Sequence, residues 1–182
     1  MKLLTLFCIG FALKGNAMDL ENTLYMDLPY GRVVIELFPD VAPNHVARIK
    51  ELTRQGFYNG LKFHRVIEGF MAQTGDPEGN GMGGSGQKLK AEFNDKPHVR
   101  GTVSMARAQD INSADSQFFI CFADAHFLDH QYTVFGQVVD GMDYVDMIKK
   151  GDRNMNGIVS NPDIIVKMQV ASDVKEETTT EE

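Results

Sequence analysis

The sequence predicts a mainly β domain, a closed or nearly closed antiparallel barrel plugged by two helices. Three observations carry this expectation. Many short runs rich in β-branched and aromatic residues recur along the chain, separated by Gly, Pro and Asn turn signals. Only two stretches have helical spacing, and they lie far apart. The 182 residues, 43% hydrophobic and 24% charged, have ordinary globular composition and suit a single core.

Thr23 to Leu28 and Arg32 to Phe38 read as strands joined by the turn signal Pro29-Tyr30-Gly31. In the second, Val33, Ile35 and Leu37 alternate onto one face. A helix is expected from Pro43 to about Gln55, with Val46, Ile49 and Leu52 on its buried side; Pro43 starts it and Gly56 stops it. A strand from Lys62 to Ile67 is followed by a glycine-rich loop from Gly75 to Gly86. Further strands are expected over Gly101 to Ala106, Gln117 to Phe122, Thr133 to Val138 and Ile164 to Val170, with a second helix over Met142 to Lys150.

Lys2, the apolar run Leu3 to Leu13 and the small residues of Gly15-Asn16-Ala17 have the layout of a secretory signal peptide at 1–17. A run this short does not match the roughly 20 residues of a membrane span. Cleavage there would leave one cysteine, Cys121, and hence no internal disulfide. The domain is expected over 18–171 and an acidic, disordered tail over 172–182. The net charge is −7; Asp173, Glu176, Glu177, Glu181 and Glu182 face only Lys175, so the tail carries −4 and the remainder −3. A mildly acidic body without a Lys/Arg block has no electrostatic footprint for nucleic acid or an anionic membrane, and neither partner is expected.

Phe63-His64-Arg65-Val66-Ile67-Glu68-Gly69-Phe70-Met71-Ala72-Gln73 gathers one cation, two bulky apolar side chains and an amide within nine positions. Singly, Phe70 and Met71 fit a core and Arg65 a solvated strand. Two further segments stand out: Gly101-Thr102-Val103-Ser104-Met105-Ala106 leading to Ser116-Gln117-Phe118-Phe119-Ile120, and Phe127-Leu128-Asp129 before Tyr132-Thr133-Val134-Phe135-Gly136.

In order and spacing these segments resemble the signature of the cyclophilin-type peptidyl-prolyl isomerases, from about Asn22 to Val170. The resemblance implies an eight-stranded antiparallel β-barrel capped by two helices, a proline-binding groove on its outer face, and cis–trans isomerisation of the bond before proline without a metal or organic cofactor. By position, Arg65 resembles the catalytic arginine and Gln73 the amide that orients it. Phe70, Met71, Phe119 and Leu128 resemble the pocket for the pyrrolidine ring; Ala106, Arg107, Ala108 and Gln117 resemble the groove lining, with residue 107 acting through its backbone as partner to an added strand. Phe127 and Tyr132 belong to the same substrate-binding rim.

This chemistry suits the residues. The amide rotation barrier of ~18–20 kcal/mol arises from nitrogen lone-pair delocalisation, and twisting frees that lone pair to accept a hydrogen bond. A fixed guanidinium there binds the twisted state better than either planar state. Phe127 stands where many members, especially those sensitive to cyclosporin, have tryptophan; Tyr132 replaces a histidine common in eukaryotic members, and Arg107 replaces a frequent asparagine. The first two make the chain resemble the bacterial branch, for which a periplasmic, monomeric folding catalyst is expected. Loss of the indole N–H implies weak cyclosporin binding. The alternative from another class is a module that holds proline segments without turnover, as a chaperone.

Three patterns have other readings. Gly81 to Gly86 formally fits a dinucleotide fingerprint but lacks the strand–helix context. His126 and His130 have the spacing of helical metal ligands but fall in an expected turn, so no metal is expected there. Asp152-Arg153-Asn154-Met155-Asn156-Gly157 with Asp163 fits a calcium loop in part, but Asp replaces the bidentate Glu and no second helix follows, which favours a polar surface loop.

Overall fold

The computed structural model describes residues 17–174. The expected signal segment lies outside the described residues except for Ala17, and so does the tail from Lys175 onward. The strands are β1 (Thr23–Leu28), β2 (Gly31–Leu37), β3 (Arg65–Ile67), β4 (Met71–Thr74), β5 (Thr102–Met105), β6 (Phe118–Cys121), β7 (Val134–Asp140) and β8 (Lys167–Val170); the helices are α1 (Pro43–Arg54) and α2 (Met142–Asp146). All eight strands join one antiparallel sheet in the order β3-β4-β6-β5-β7-β2-β1-β8.

The expected closed barrel is corrected to an open one, because no ladder joins the edge strands β3 and β8. The free edge of β3 is already used. Val66 N–H donates to Gly157 O at 2.8 Å, and Val66 O accepts from Gly151 N–H at 2.8 Å. The 151–159 loop thus takes the place where β8 would pair. Across the gap, isolated contacts stand in for a ladder: the Lys62–Ile164 bridge with Gly60 N–H to Ile165 O at 2.7 Å, Ile165 N–H to Leu61 O at 2.9 Å and Phe63 N–H to Asp163 O at 2.9 Å, and the Arg65–Ile158 bridge with Val159 N–H to His64 O at 3.2 Å.

Alternation sorts the side chains of each strand. Leu24, Met26, Val33, Ile35, Val66, Ala72, Val103, Phe118 and Ile120 face the interior with α1 residues Val46, Ile49 and Leu52. The edge-to-face rings of Tyr58, Phe118 and Phe135 fill its centre. A second, smaller cluster lies on the other face: Met71, Phe119, Cys121, Ala125 and Leu128, flanked by Ile67, Phe70, Ala106 and Tyr132.

Helix α1 has Pro43 in its first turn, and Ala42 offers no side-chain cap. The first-turn N–H groups of Asn44 and His45 instead donate to the Glu92 carboxylate at 3.1 and 3.0 Å, a cap supplied from 47 residues away. Helix α2 is shorter than the expected Met142 to Lys150: Ile148 N–H turns to Val145 O, and Lys149 N–H leaves the helix for the Asp163 carboxylate at 2.8 Å. Asp173 pairs with Arg54 at 2.8 Å and Ser172 donates to Glu21 at 2.7 Å, so ordered chain continues past the expected tail boundary.

Candidate active site

The site is built on the outward face of β3, β4 and β6. Cross-strand register places Arg65 opposite Gln73 and Gln73 opposite Phe119, while Met71 lies opposite Cys121. All of these point away from the main core. The β3–β4 turn closes with Phe70 N–H donating to Ile67 O at 3.0 Å, and Gly69 has φ +74, a conformation that favours glycine.

A cavity of about 290 Å³ is lined by Arg65, Phe70, Met71, Gln73, Ala106, Arg107, Phe119, Phe127, Leu128 and Tyr132. An adjoining cavity of about 320 Å³ shares Gln73, Ala106 and Arg107 and adds Ala108, Gln117 and the glycine loop. Every residue named from the sequence as catalytic or substrate-binding therefore lines one continuous groove.

A relay of amides spans it. Arg65 Nη1–H donates to Gln73 Oε1 at 3.2 Å, and Gln73 Nε2–H donates to Gln117 Oε1 at 2.9 Å. Gln117 Nε2–H in turn reaches the carbonyls of Gly81 and Gly83 at 3.1 and 2.9 Å. On its other edge the guanidinium donates from Nε to Asn156 O at 3.1 Å and from Nη2 to Asn156 Oδ1 at 3.0 Å. Each of these acceptors is neutral. Burial lowers the guanidinium from its ordinary value, yet an arginine remains protonated throughout the working range.

The apolar wall is firm at its base and open at its rim. Phe119 and Leu128 are buried, whereas Phe127 is 66% exposed and meets Phe70 with ring centroids 5.5 Å apart. Behind Phe119, fully buried His98 stacks on its ring at 6.1 Å. His98 Nδ1 meets Asp129 Oδ1 at 2.9 Å and Nε2 meets Ser104 Oγ at 2.9 Å. The His98 backbone N–H, the two histidines and the charge of His126 hold the Asp129 carboxyl down to about 2, while burial pushes His98 below the usual imidazole value. His98 donates from Nδ1 to Asp129, and the Ser104 hydroxyl beside its Nε2 also lies 3.1 Å from the Thr133 carbonyl. The Arg107 guanidinium lies over the Tyr132 ring at 4.6 Å and bonds Gln131 O from Nε and Nη2.

The other patterns resolve into structure. The glycine loop wraps protein carboxylates: Asp76 accepts from Glu78 and Asn80 N–H at 2.8 and 2.9 Å, and Asp115 accepts from Ser85 N–H at 2.6 Å. A Cβ at Gly83 would come within 2.1 Å of Asp76 Oδ1, which explains the glycine there. His126 meets Asp129 in a 3-10 turn rather than a helix. Of the calcium-like loop, Asp152 accepts from Asn154 N–H, Asn156 holds Arg65, and Asp163 accepts from Tyr30 and Lys149. Among the described residues no three His, Cys, Asp or Glu side chains group to hold a metal. The sequence reading missed the roles of Asn156, His98 and Asp129; Asn156-Gly157 stood out only as part of the calcium-like pattern, read as a polar surface loop.

The outer face of the antiparallel sheet thus carries a fixed guanidinium beside an apolar pocket. The sequence model of the family described as "Cyclophilin type peptidyl-prolyl cis-trans isomerase/CLD" matches residues 23–170. The chain is 55% identical over 179 residues to a Brucella suis protein named "Probable peptidyl-prolyl cis-trans isomerase", covering 92% of this chain and 91% of the relative. It is 47% identical over 140 residues to the Helicobacter pylori peptidyl-prolyl cis-trans isomerase, covering 74% and 85%. Among solved structures, a Hirschia baltica cyclophilin superposes with TM-score 0.77 at 30% identity, covering 87% of this chain and 77% of that one. A Cryptosporidium parvum cyclophilin-type isomerase, solved in the presence of the dipeptide Ala-Pro, gives 0.74 at 29% identity, covering 81% and 98%. The chain belongs to the cyclophilin family and is a peptidyl-prolyl cis–trans isomerase. That assignment sets aside the reading as a purely non-catalytic module.

Proposed function

We propose that Arg65 is the catalytic group of this isomerase and that the chain works as an exported folding catalyst on proline-containing polypeptides. The observation that carries the first part is the guanidinium, fixed on both edges by neutral acceptors at the lip of an apolar pocket. The pyrrolidine ring seats against Phe70, Met71, Phe119 and Leu128, and the preceding carbonyl rotates. As the amide twists, its nitrogen lone pair localises and accepts an N–H of Arg65. Shortening tens of seconds to milliseconds requires a factor of ~10⁴, or about 5–6 kcal/mol. One charged hydrogen bond realised only in the twisted state, together with fixation of the ring, is of that size.

The edge beside the pocket favours an extended substrate. Neither the backbone N–H nor the carbonyl of Arg107 has a partner among the described residues, and strand addition there would satisfy both. Export is supported by Lys2, the apolar run Leu3 to Leu13 and Gly15-Asn16-Ala17; removal of 1–17 would leave every described element intact, since the first begins at Leu20. The indole-free Phe127 at the rim supports weak cyclosporin binding, and Phe127→Trp should tighten it; equal affinity of the two proteins refutes that reading.

Proline-limited refolding of a test protein checks the catalytic assignment. Wild type should accelerate the slow phase, and Arg65→Ala should lose about 10²–10³ of that acceleration; full activity in the variant overturns the role of Arg65. N-terminal sequencing of the protein recovered from a bacterial envelope fraction should begin at Met18, and retention of Met1 in the cytoplasm would overturn export.

A further inference from the structure

We propose that Asn156 is a positioning residue for the isomerase reaction, aiming the Arg65 guanidinium with two neutral oxygens so that its whole charge remains for the substrate. The inference rests on Arg65 being the donor to the twisted amide. Asn156 offers its carbonyl to Nε–H at 3.1 Å and its Oδ1 to Nη2–H at 3.0 Å, a two-point grip on one edge of the fork. Gln73 takes Nη1–H on the opposite side at 3.2 Å. With the weak contact of Nη1–H to Met71 Sδ at 4.0 Å, four of the five guanidinium N–H groups are engaged, and Nη2 keeps one to offer to the groove.

Backbone geometry makes the grip possible. Asn156 sits at φ +54 and ψ +32, the left-handed region that asparagine tolerates better than most residues. The turn is anchored on both sides: Gly157 N–H donates to Asp152 O at 2.8 Å, and Gly157 O accepts from Val66 N–H, next to Arg65, at 2.8 Å. Asn156 is therefore registered to the strand that carries the guanidinium. A carboxylate in its place would form the stronger bidentate pair usual for arginine. That pair would also offset the charge needed in the twisted state, which gives the neutral amide a chemical reason to be there.

Asn156→Gly and Asn156→Asp both accept the left-handed backbone, so each is expected to fold with a melting temperature close to wild type. With a prolyl peptide substrate, Asn156→Gly should lower kcat about tenfold through misplacement of the guanidinium. KM should stay within about twofold, since the interaction is made in the transition state. Asn156→Asp, which holds the guanidinium more firmly but pairs its charge, should lower kcat at least as much. Placed in an Arg65→Ala background, neither change should reduce the residual activity further. Wild-type kcat in the Gly variant overturns the positioning role, and wild-type kcat in the Asp variant overturns the need for a neutral acceptor. Equal losses with and without Arg65 reduce Asn156 to a structural part of the loop and also overturn the proposal. Full activity of Arg65→Ala alone would instead refute the role of Arg65, a distinguishable failure.

Discussion

Replacing Asp129 by asparagine tests the support behind the proline pocket. Oδ1 of Asp129 accepts the His98 backbone N–H at 2.7 Å and faces His98 Nδ1 at 2.9 Å, while Oδ2 meets exposed His126 at 2.9 Å. A carboxyl held at about 2 instead of 3.8 contributes about 2.5 kcal/mol at neutral pH, and its 24% side-chain exposure trims this to about 2. One charged hydrogen bond to a buried partner has the same magnitude, about 1.5–3 kcal/mol. For a domain of this length, Asp129→Asn should therefore lower Tm by about 4–8 °C at pH 7. The folded carboxyl lies below its unfolded value, so its contribution is complete above pH 3.8 and is lost as pH falls toward 2. Urea unfolding at pH 7 and pH 3 should show the deficit shrinking to about half at the lower pH. A deficit under about 0.5 kcal/mol at pH 7, or one undiminished at pH 3, refutes the electrostatic reasoning. Because His98 stacks on Phe119, the same change should also weaken peptide binding.

Burial holds three histidines, His45, His64 and His98, below the ordinary imidazole value of 6.5. Unfolded chains therefore bind those protons first, and stability should fall as pH drops below about 6.5, by at most about 1.4 kcal/mol per pH unit for each histidine; unchanged urea midpoints from pH 7.5 to 5 would contradict this. Gly75 has φ +86, and a Cβ there would lie 2.4 Å from Ser116 O beside the groove. Gly75→Ala should cost at least about 2 kcal/mol and distort Gln117, and a Tm within a degree of wild type would show that the backbone relaxes freely.

The parts of the fold that were legible in sequence are those set by local pattern. The hairpin at Pro29 to Gly31 and the Pro43 helix follow from turn and capping chemistry and alternation, and both occur as expected. Strand β4 was hidden because Met71 and Gln73, which face outward as part of the groove, interrupt the usual apolar-in pattern of a half-buried strand. Barrel closure was misjudged because the partner of β3 is a loop lying some 90 residues later, and no local periodicity reports it. The groove residues were legible through the family resemblance, since Arg65, Phe119 and Leu128 come from segments far apart in the chain. Asn156, His98 and Asp129 act through contacts between distant segments, and their residue types alone gave no such signal.

The central claim is that Arg65 binds the twisted amide and not the planar substrate. Magnetisation-exchange measurements on a prolyl peptide, with affinity determined separately, divide those two quantities. Arg65→Ala should bind the peptide within about threefold of wild type while the exchange rate of the bound peptide falls about 10²–10³-fold. Loss of affinity with an unchanged rate in the bound state would contradict the account.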